Sequence, residues 1–345
     1  MPFVTGLVSQ LGWGVESTAG TAVTPTKFQP HVSEGLNLEI ERQQGEGLYG
    51  STNGVALLSR HVTTTRQISG DFEVELTDKG LGTLHRAALG STTTPTVLSG
   101  SAYEAVFAPG DQQSAGSSLT VQVGRPQVAS GTVRPFTFNG CKVTSYEFGG
   151  NVTDPLTLKV GIDGWNEATG TALASASYPA SQTQFTGADL TVSLGGTPST
   201  SSGKTSISGG TTLTGVKGAT VKIENPLSTE RYYAGSSGIK SEQVVNGYRT
   251  CEIELEMDFI ERTTLYDLYS ANTTTAIQLT WALPTAITGS HYPTLEFTVA
   301  TAKVTKAEVN VDGADILPQK VTLMALFDGT NNPYQIRTIS TDTAL

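Results

Sequence analysis

Apolar and polar residues alternate along several short segments of this chain. In the segment 71–76, every second residue is apolar and those between are acidic: Phe72, Glu73, Val74, Glu75 and Leu76. A period of two is typical of a half-buried antiparallel strand with one face in water. The segment 36–41 alternates in the same way. Both segments are therefore predicted to be strands with one acidic face.

The spacing of apolar residues changes to that of a helix directly after the strand at 71–76. Leu81, Leu84 and Ala88 fall on one helical face, Asp78 is a suitable N-cap, and Gly90 would end the helix. This pattern predicts one short helix over 78–89.

The strand and the helix recur later in the chain. A shift of 181 positions places Phe72 over Ile253 and Leu84 over Leu265, which predicts a second helix near 263–270. A shift of 183 places segment 38–41 over 221–224. Repetition of this kind fixes the number of folding units, so two units are expected.

Two further matches give different shifts. Lys142-Val143-Thr144 recurs as Lys303-Val304-Thr305 after 161 positions, whereas Asp163-Gly164 recurs as Asp328-Gly329 after 165. The difference predicts a loop four residues longer in the second unit, since length changes fall in loops.

These patterns predict an all-β fold class with one short helix per unit, arranged as two tandem β-sandwich domains. The chain has 345 residues, which is enough for two cores, and it is rich in glycine while only 15% of it is charged. The predicted boundaries are an N-terminal arm (1–34), a first sandwich (35–166), a Gly/Ser/Thr-rich linker that could add strands to the second unit (167–213), and a second sandwich (214–345).

Charge and cysteine content limit the functions that are open to the chain. The formal net charge of −10 argues against tight binding of nucleic acid, which needs lysine and arginine, but not against a surface along which nucleic acid slides. Two isolated cysteines make neither a disulfide framework nor a zinc site. The start of the sequence has no secretion signal and no segment is apolar enough for a membrane helix, so assembly in a host cytoplasm is expected.

No residue pattern predicts catalysis. Gly203-Lys204-Thr205 resembles part of a phosphate-binding loop, but Pro198 stands where the first glycine is required. The histidines have no partner at ligand spacing, and no nucleophile, histidine and acid form a persuasive set. The sequence therefore predicts no enzyme, no metal and no cofactor.

Taken together, the chain resembles the tail tube proteins, or major tail proteins, of long-tailed, non-contractile bacteriophages. The resemblance covers both units and lies in the order of the arm LGWGVESTAGTAVTPTKFQP, the strand LNLEIER with its long polar loop, and the strand DFEVEL before a short helix. It implies sandwiches that contribute strands to a ring-closed β-barrel. Because two units share one chain, a trimeric, pseudo-hexameric ring is expected.

The resemblance also implies partners and a site. Stacked rings would form a conduit for DNA ejection, holding a tape-measure protein and double-stranded DNA in the lumen, with tail terminator and distal tail proteins at the ends and no membrane contact. Acids on the wet strand faces are expected to line the lumen: Glu39, Glu41, Glu73, Glu75, Glu224, Glu252, Glu254 and Glu256. The long loops 42–66 and 225–249 are expected to contact stacked rings, with Tyr49, Tyr232 and Tyr233 as anchors.

Two other kinds of protein share parts of this pattern. A capsid decoration protein or an adhesin would have the same composition but would not need a long loop at the same place in both units. A carbohydrate-binding module or a hydrolase would need clustered exposed tryptophans, whereas Trp13, Trp165 and Trp281 are scattered along the chain.

Overall fold

The computed structural model describes residues 5–48, 54–113, 117–311 and 313–345. Strands in the first part of the chain are β1 (Gln10–Val15), β2 (Lys27–Phe28), β3 (His31–Glu34), β4 (Asn37–Gln44), β5 (His61–Glu75), β6 (Gly90–Thr92), β7 (Thr96–Ser99), β8 (Ala102–Pro109), β9 (Leu119–Pro126), β10 (Val133–Asn151), β11 (Thr157–Gly164) and β12 (Asn166–Ala168). Those in the second part are β13 (Leu190–Leu194), β14 (Thr197–Ser201), β15 (Lys204–Ser208), β16 (Thr211–Thr212), β17 (Val216–Glu224), β18 (Thr250–Asp258), β19 (Thr274–Ala282), β20 (Thr294–Val309), β21 (Pro318–Ala325) and β22 (Tyr334–Ser340). The helices are α1 (Gly82–Leu89) and α2 (Arg262–Ala271).

Eight antiparallel strands form one continuous sheet in the order β4–β5–β11–β10–β17–β18–β21–β20. The first four strands and the last four have the same topology, because β17, β18, β20 and β21 take the places of β4, β5, β10 and β11. The two halves are joined by the pairing of β10 with β17. The prediction of an all-β chain is confirmed, and the repeated block is a four-stranded sheet with a helix after its second strand.

The strand register defines which residues are equivalent in the two halves. Lys159 pairs with Glu73 and Glu147 just as Lys320 pairs with Glu256 and Glu308. This equivalence corresponds to a shift of 183 for β5 and of 161 for β10 and β11, and the first strand then requires 185 because Glu39 pairs with Gln67 as Glu224 pairs with Thr250.

Three sequence overlays are therefore corrected. Phe72 lies over Leu255 rather than Ile253, and Glu39 lies over Glu224 rather than Lys222. Asp163 is opposite Lys142 in β10, and the residue opposite Lys303 is Met324, not Asp328. The same number of residues separates Lys142 from Asp163 and Lys303 from Met324, so the predicted four-residue difference was wrong.

Bulges in the long strands support the corrected equivalence. In β10 the register shifts between Phe138 and Cys141 and again between Val143 and Ser145. In β20 the register with β19 shifts between positions 299 and 302, and the register with β21 shifts between positions 304 and 306. The irregularities of the two strands coincide after a shift of 161, which marks them as features of the repeated block.

Smaller strands extend each half in a similar way. β1 pairs with β2 and β9, and β9 pairs with β10; likewise β13 pairs with β16 and β19, and β19 pairs with β20. In segment 1–34, expected to be an arm, the described residues thus include three strands, and segment 167–213 contributes β13 to β16. The first half has an insertion, β6 to β8, whose last strand pairs with β22.

One apolar core lies under both halves of the sheet. Phe148 of the first half meets Trp281 and Phe297 of the second, with ring centroids 5.9 and 5.7 Å apart. Leu84 of α1 and Leu265 of α2 are both buried in it. Within the described residues no path of paired strands returns to its start, so the sheet is open and a closed barrel is not formed by one chain.

Candidate functional site

The eight-stranded sheet has one apolar face in the core and one polar face. Directly opposed residues form an alternating row of acids and lysines across five strands: Glu73, Lys159, Glu147, Lys222 and Glu252. The row crosses the junction between the two halves without interruption. Opposite charges placed in this way stabilise neighbouring strands modestly and fix their register.

Acids outnumber lysines on the polar face. The described carboxylates are those of Glu39, Glu41, Asp71, Glu73, Glu75, Glu147, Glu224, Glu252, Glu254, Glu256 and Glu308. The described lysines of this face that form ion pairs are Lys159, Lys222, Lys306 and Lys320, and each pairs with an acid of the same face at 2.7 to 3.0 Å. All eight predicted acids therefore share one surface, and seven of the carboxylates named above make no ion pair with these four lysines.

Neighbouring groups hydrogen-bond both to the lysines and to the acids of the polar face. A hydrogen bond to Asp71, with Glu147 and Glu73 nearby, raises the pKa of Lys159, and Glu256 does the same for Lys320. Glu39 accepts hydrogen bonds from Gln67 and Ser69 at 2.8 and 3.2 Å. Lys159 and Lys320 therefore stay protonated at physiological pH.

The sheet has two edges. β4 pairs with β5, and no other described strand pairs with it. β20 is covered by β19 as far as Lys303, and beyond that residue no described strand lies on the side away from β21. Unpaired strand edges are templates for pairing with another chain.

The junction of β10 with β17 shows how one block binds the next. Seven residue pairs run from Ser145–Glu224 to Asn151–Gly218. The N–H of Asn225 donates to the C=O of Thr144 at 2.8 Å, and that of Val152 donates to Lys217 at 2.7 Å. Gly149 has a φ of +137°, and a Cβ there would lie 2.1 Å from the carbonyl oxygen of Ala219. Glycine is required at this close approach of two backbones.

The loop 225–249, between β17 and β18, folds back over the first half. Lys240 makes a buried ion pair with Asp163 of β11, and Gln243 donates to the Asp163 carboxylate at 2.7 Å. Lys142 of β10 is also buried and contacts Glu242 at 2.6 Å. Burial raises the pKa of Asp163, while the hydrogen bond from Lys240 opposes that shift.

The two ends of this loop bind the C-terminal end of α1. Asn225 donates its side-chain amide to the C=O of Ala88 at 2.9 Å. Arg249 donates to the C=O of Leu89 at 2.9 Å and to that of Gly110 at 2.7 Å. These donors satisfy carbonyls that a helix end leaves without a partner, and the guanidinium complements the helix dipole.

Comparison with known protein families identifies the chain. The family model described as phage tail tube protein matches residues 6–325, which includes both halves of the sheet. The chain belongs to the phage tail tube protein family. A search of curated proteins finds no match. Membership implies a structural component of the virion tail that self-assembles into a tube, and the family is not enzymatic.

Other observations fit a structural role for this member of the tail tube family. Trp13 and Trp281 are fully buried, so they make no exposed sugar-binding cluster. His85 is buried against Tyr146, with 2.6 Å between Nδ1 and the hydroxyl oxygen, and burial lowers the pKa of His85 to about 3. Burial also raises the pKa of both cysteine thiols. In the described parts of the chain, no helix is long and apolar enough to cross a membrane, and no group of three or more metal-ligating side chains occurs.

The predicted loop anchors lie in different environments. Tyr232 is half-buried and its hydroxyl donates to the C=O of Arg66 within the same chain at 3.3 Å. Tyr233 is 56% exposed and accepts a hydrogen bond from Arg231. Tyr49 lies outside the described residues. Tyr248 is almost fully exposed.

Sequence reasoning missed the residues that hold the blocks together within the tail tube chain. Asp163, Lys240 and Gln243 are far apart in sequence and carry no spacing pattern. In the sequence, Arg249 marks only the end of the predicted loop 225–249. Arg249 lies 183 positions after Arg66, the same shift that relates β18 to β5, and this equivalence was the sequence signal that pointed to Arg249.

Proposed function

We propose that three chains close into a pseudo-hexameric ring, and that such rings stack into the tail tube of a non-contractile phage. The observation that carries this proposal is the continuous eight-stranded sheet, built from two equivalent blocks and open at both edges. Since one block already binds the next through β10 and β17, the same contact between chains would close a barrel of 24 strands after three chains. Closure removes the unpaired edges.

In such a ring the polar face lines the bore. The apolar face is already occupied by the core and the helices, so the polar face is the one left for solvent and cargo. The excess of carboxylates over lysines on this face gives the bore a negative potential, which repels the phosphates of double-stranded DNA and lets it pass without being held. The lysines at the centre of each acidic row reduce repulsion between strands without reversing the sign.

The tube serves as the conduit for DNA ejection. A tape-measure protein occupies the lumen before ejection, and terminator and distal tail proteins close the two ends. The exposed residues of the loops, including Tyr233 and Tyr248, provide contacts between stacked rings. Two sandwich units, each extended by its own small strands β1–β2 and β13–β16, are the repeating elements of the wall.

Native mass spectrometry and electron microscopy of the purified chain test this proposal. The smallest closed ring should contain three chains of 36.1 kDa. Concentrated protein should form hollow filaments with six similar densities per ring. A ring of six chains, or a chain that stays monomeric at every concentration, would contradict the proposal.

A further inference from the structure

We propose a specific register for the contact between chains: β20 of one copy pairs antiparallel with β4 of the next, with Lys306 opposite Glu39. This inference rests on the proposed ring and defines its subunit interface. The partner is a second copy of this chain. The internal contact of β10 with β17 serves as the template, because each block has an equivalent residue at every position of that contact.

The register follows from the structural equivalences. Ser145 corresponds to Lys306 after 161 positions, and Glu224 corresponds to Glu39 after 185. Ser145 is opposite Glu224 in the internal junction, so Lys306 should be opposite Glu39 between chains. The next core-facing pair, Tyr146 with Ile223, becomes Ala307 with Leu38.

Backbone hydrogen bonding agrees with this arrangement. The N–H of Gly35 donates to Asp71 at 2.7 Å, so alternation along the antiparallel pair directs the N–H and C=O groups of Leu38 and Ile40 away from β5. In the internal junction the hydrogen-bonded pair is Asn225 with Thr144, which makes Ser145 and Glu224 a non-hydrogen-bonded pair. Leu38 and Ile40 thus present free backbone groups where the template requires them.

Charge distinguishes this register from its nearest alternative. A slip of two residues keeps the apolar residues on the core face, so burial alone does not exclude it. The slipped register would place Glu308 opposite Glu39, and like charges directly opposed are destabilising. In the proposed register Glu308 faces Asn37 instead, while Lys306 faces an acid in both registers, Glu39 in the proposed one and Glu41 in the slipped one.

The loop beside β4 points to the same interface. Its counterpart, loop 225–249, covers the first half of its own chain, whereas the loop between β4 and β5 exposes Leu48, Val55 and Leu58 by 69% or more. The surface equivalent to the one that loop 225–249 covers is an open groove in the second half, lined by Tyr269, Ser270, Asn272, Lys303, Val304 and Met324. The exposed apolar residues among the described part of this loop and the uncovered groove are what separate chains of the proposed ring would leave before assembly.

Arg66 adds an independent observation. It corresponds to Arg249 after 183 positions, yet its Nε atom is buried and donates to no described acceptor. Arg249 binds the end of α1, and the equivalent end of α2 has no basic residue in its last turn. The geometry places Arg66 of one chain at the C-terminal end of α2 of the next.

Disulfide crosslinking tests the register directly. The variant Lys306→Cys with Glu39→Cys should give covalent trimers after mild oxidation, and reduction should reverse them. Lys306→Cys with Glu41→Cys tests the slipped register, in which the two Cα atoms come together only after a displacement of about 7 Å along the strand. The first pair should give about tenfold more covalent trimer than the second, because disulfides require a short Cα separation.

An internal pair provides the matched control. Ser145→Cys with Glu224→Cys occupies the equivalent positions of the β10–β17 junction, so it should lose both free thiols without forming larger species. The native Cys141 and Cys251 are buried and should remain reduced. A charge exchange adds a second measurement: Lys306→Glu should weaken ring formation, and adding Glu39→Lys should restore it.

The outcomes separate the register from the proposed function. Rings that form but crosslink through Glu41→Cys, or through neither pair, overturn the register and leave the trimeric ring standing. Absence of rings in the unmodified chain, with a correctly formed internal disulfide in the control, overturns the proposed function instead. Trimers from the Glu39→Cys pair together with restored assembly in the exchanged variant support both.

Discussion

Replacing Lys240 with methionine should release the loop 225–249 from the first half of the chain. The substitution keeps the length of the side chain but removes the charge that pairs with Asp163. Both side chains are buried, with exposed fractions of 0% for Lys240 and 7% for Asp163. The carboxylate would then remain buried with Gln243 as its remaining side-chain donor.

The cost can be estimated from that geometry. Removing one partner of a buried ion pair costs about 3 to 5 kcal/mol, and the hydrogen bond from Gln243 places the value near the lower end. A cost of about 3 kcal/mol weakens loop docking by about 100-fold. Hydrogen exchange is a suitable assay, because the amide of Arg66 donates to the C=O of Gly238 in the docked loop at 2.8 Å. Exchange at Arg66 and in the loop should accelerate by that factor in unassembled protein.

Two further variants make the test decisive. Lys159→Met removes a lysine whose ion pair with Asp71 is about half exposed on both sides, so it should leave exchange in the loop unchanged. Adding Asp163→Asn to Lys240→Met removes the stranded charge and should recover most of the protection. If Lys240→Met were no worse than Lys159→Met, the buried pair would not hold the loop.

The effect should also depend on pH. Burial raises the pKa of Asp163 above its unfolded value, so the folded chain takes up this proton first as the pH falls. Stability associated with this group is therefore greatest at low pH and is lost as the pH rises through the folded pKa. Without Lys240 the shift is larger, and the deficit of Lys240→Met in urea unfolding should shrink between about pH 7 and pH 4.

Three other changes have defined outcomes. Gly149→Ala should lower the free energy of unfolding by about 3 kcal/mol in urea titrations, because of its positive φ and the contact with Ala219, whereas Gly170→Ala, with open space around it, should not. Between pH 6.5 and pH 3 the unfolded histidine is protonated, whereas the buried His85 takes up its proton only at about pH 3. His85→Gln should therefore reduce the slope of the unfolding free energy against pH in this range by the equivalent of about one proton. Equal slopes in the variant and the unmodified protein would refute this. Glu254→Lys should slow DNA ejection from assembled phage in a time-resolved release assay more than Asp267→Lys on α2, and equal effects would argue against a bore lined by the polar face.

Much of the fold could be predicted from alternation and repetition. Strands β4 and β5, the helices and the C-cap at Gly90 follow from local patterns, and the order of such elements carried the resemblance to the family. The helix α1 begins at Gly82 and not at Asp78, because residues 78–80 form a bend before it, where Asp78 accepts a hydrogen bond from the N–H of Thr183. Local patterns describe which elements form and only approximately where they begin.

The register of the repeat could not be predicted in the same way. A slip of two residues leaves every apolar residue on its face, so Phe72 matches Ile253 and Leu255 equally well by pattern. Only the hydrogen-bonded neighbours decide between them, through the rows that place Lys159 and Lys320 between two glutamates each. For the same reason, alternation predicted correctly that the eight acids share one face but could not predict which residue lies opposite each acid on the neighbouring strand.

The internal junction of β10 with β17 and the proposed junction of β20 with β4 differ because only the first lies within one chain. β10 and β17 belong to one chain, so their contact forms at high effective concentration and can rely on Gly149, which packs two backbones closely and carries no charge. In the proposed ring, the outer edges of β4 and β20 find a partner strand only on assembly, and these two strands carry Glu39, Glu41, Lys306 and Glu308. Charged edge residues oppose indiscriminate pairing, since two copies of β4 would bring acids together. The pairing of β20 with β4 is the one that opposes Lys306 to Glu39, so the edge charges that prevent aggregation also select the partner.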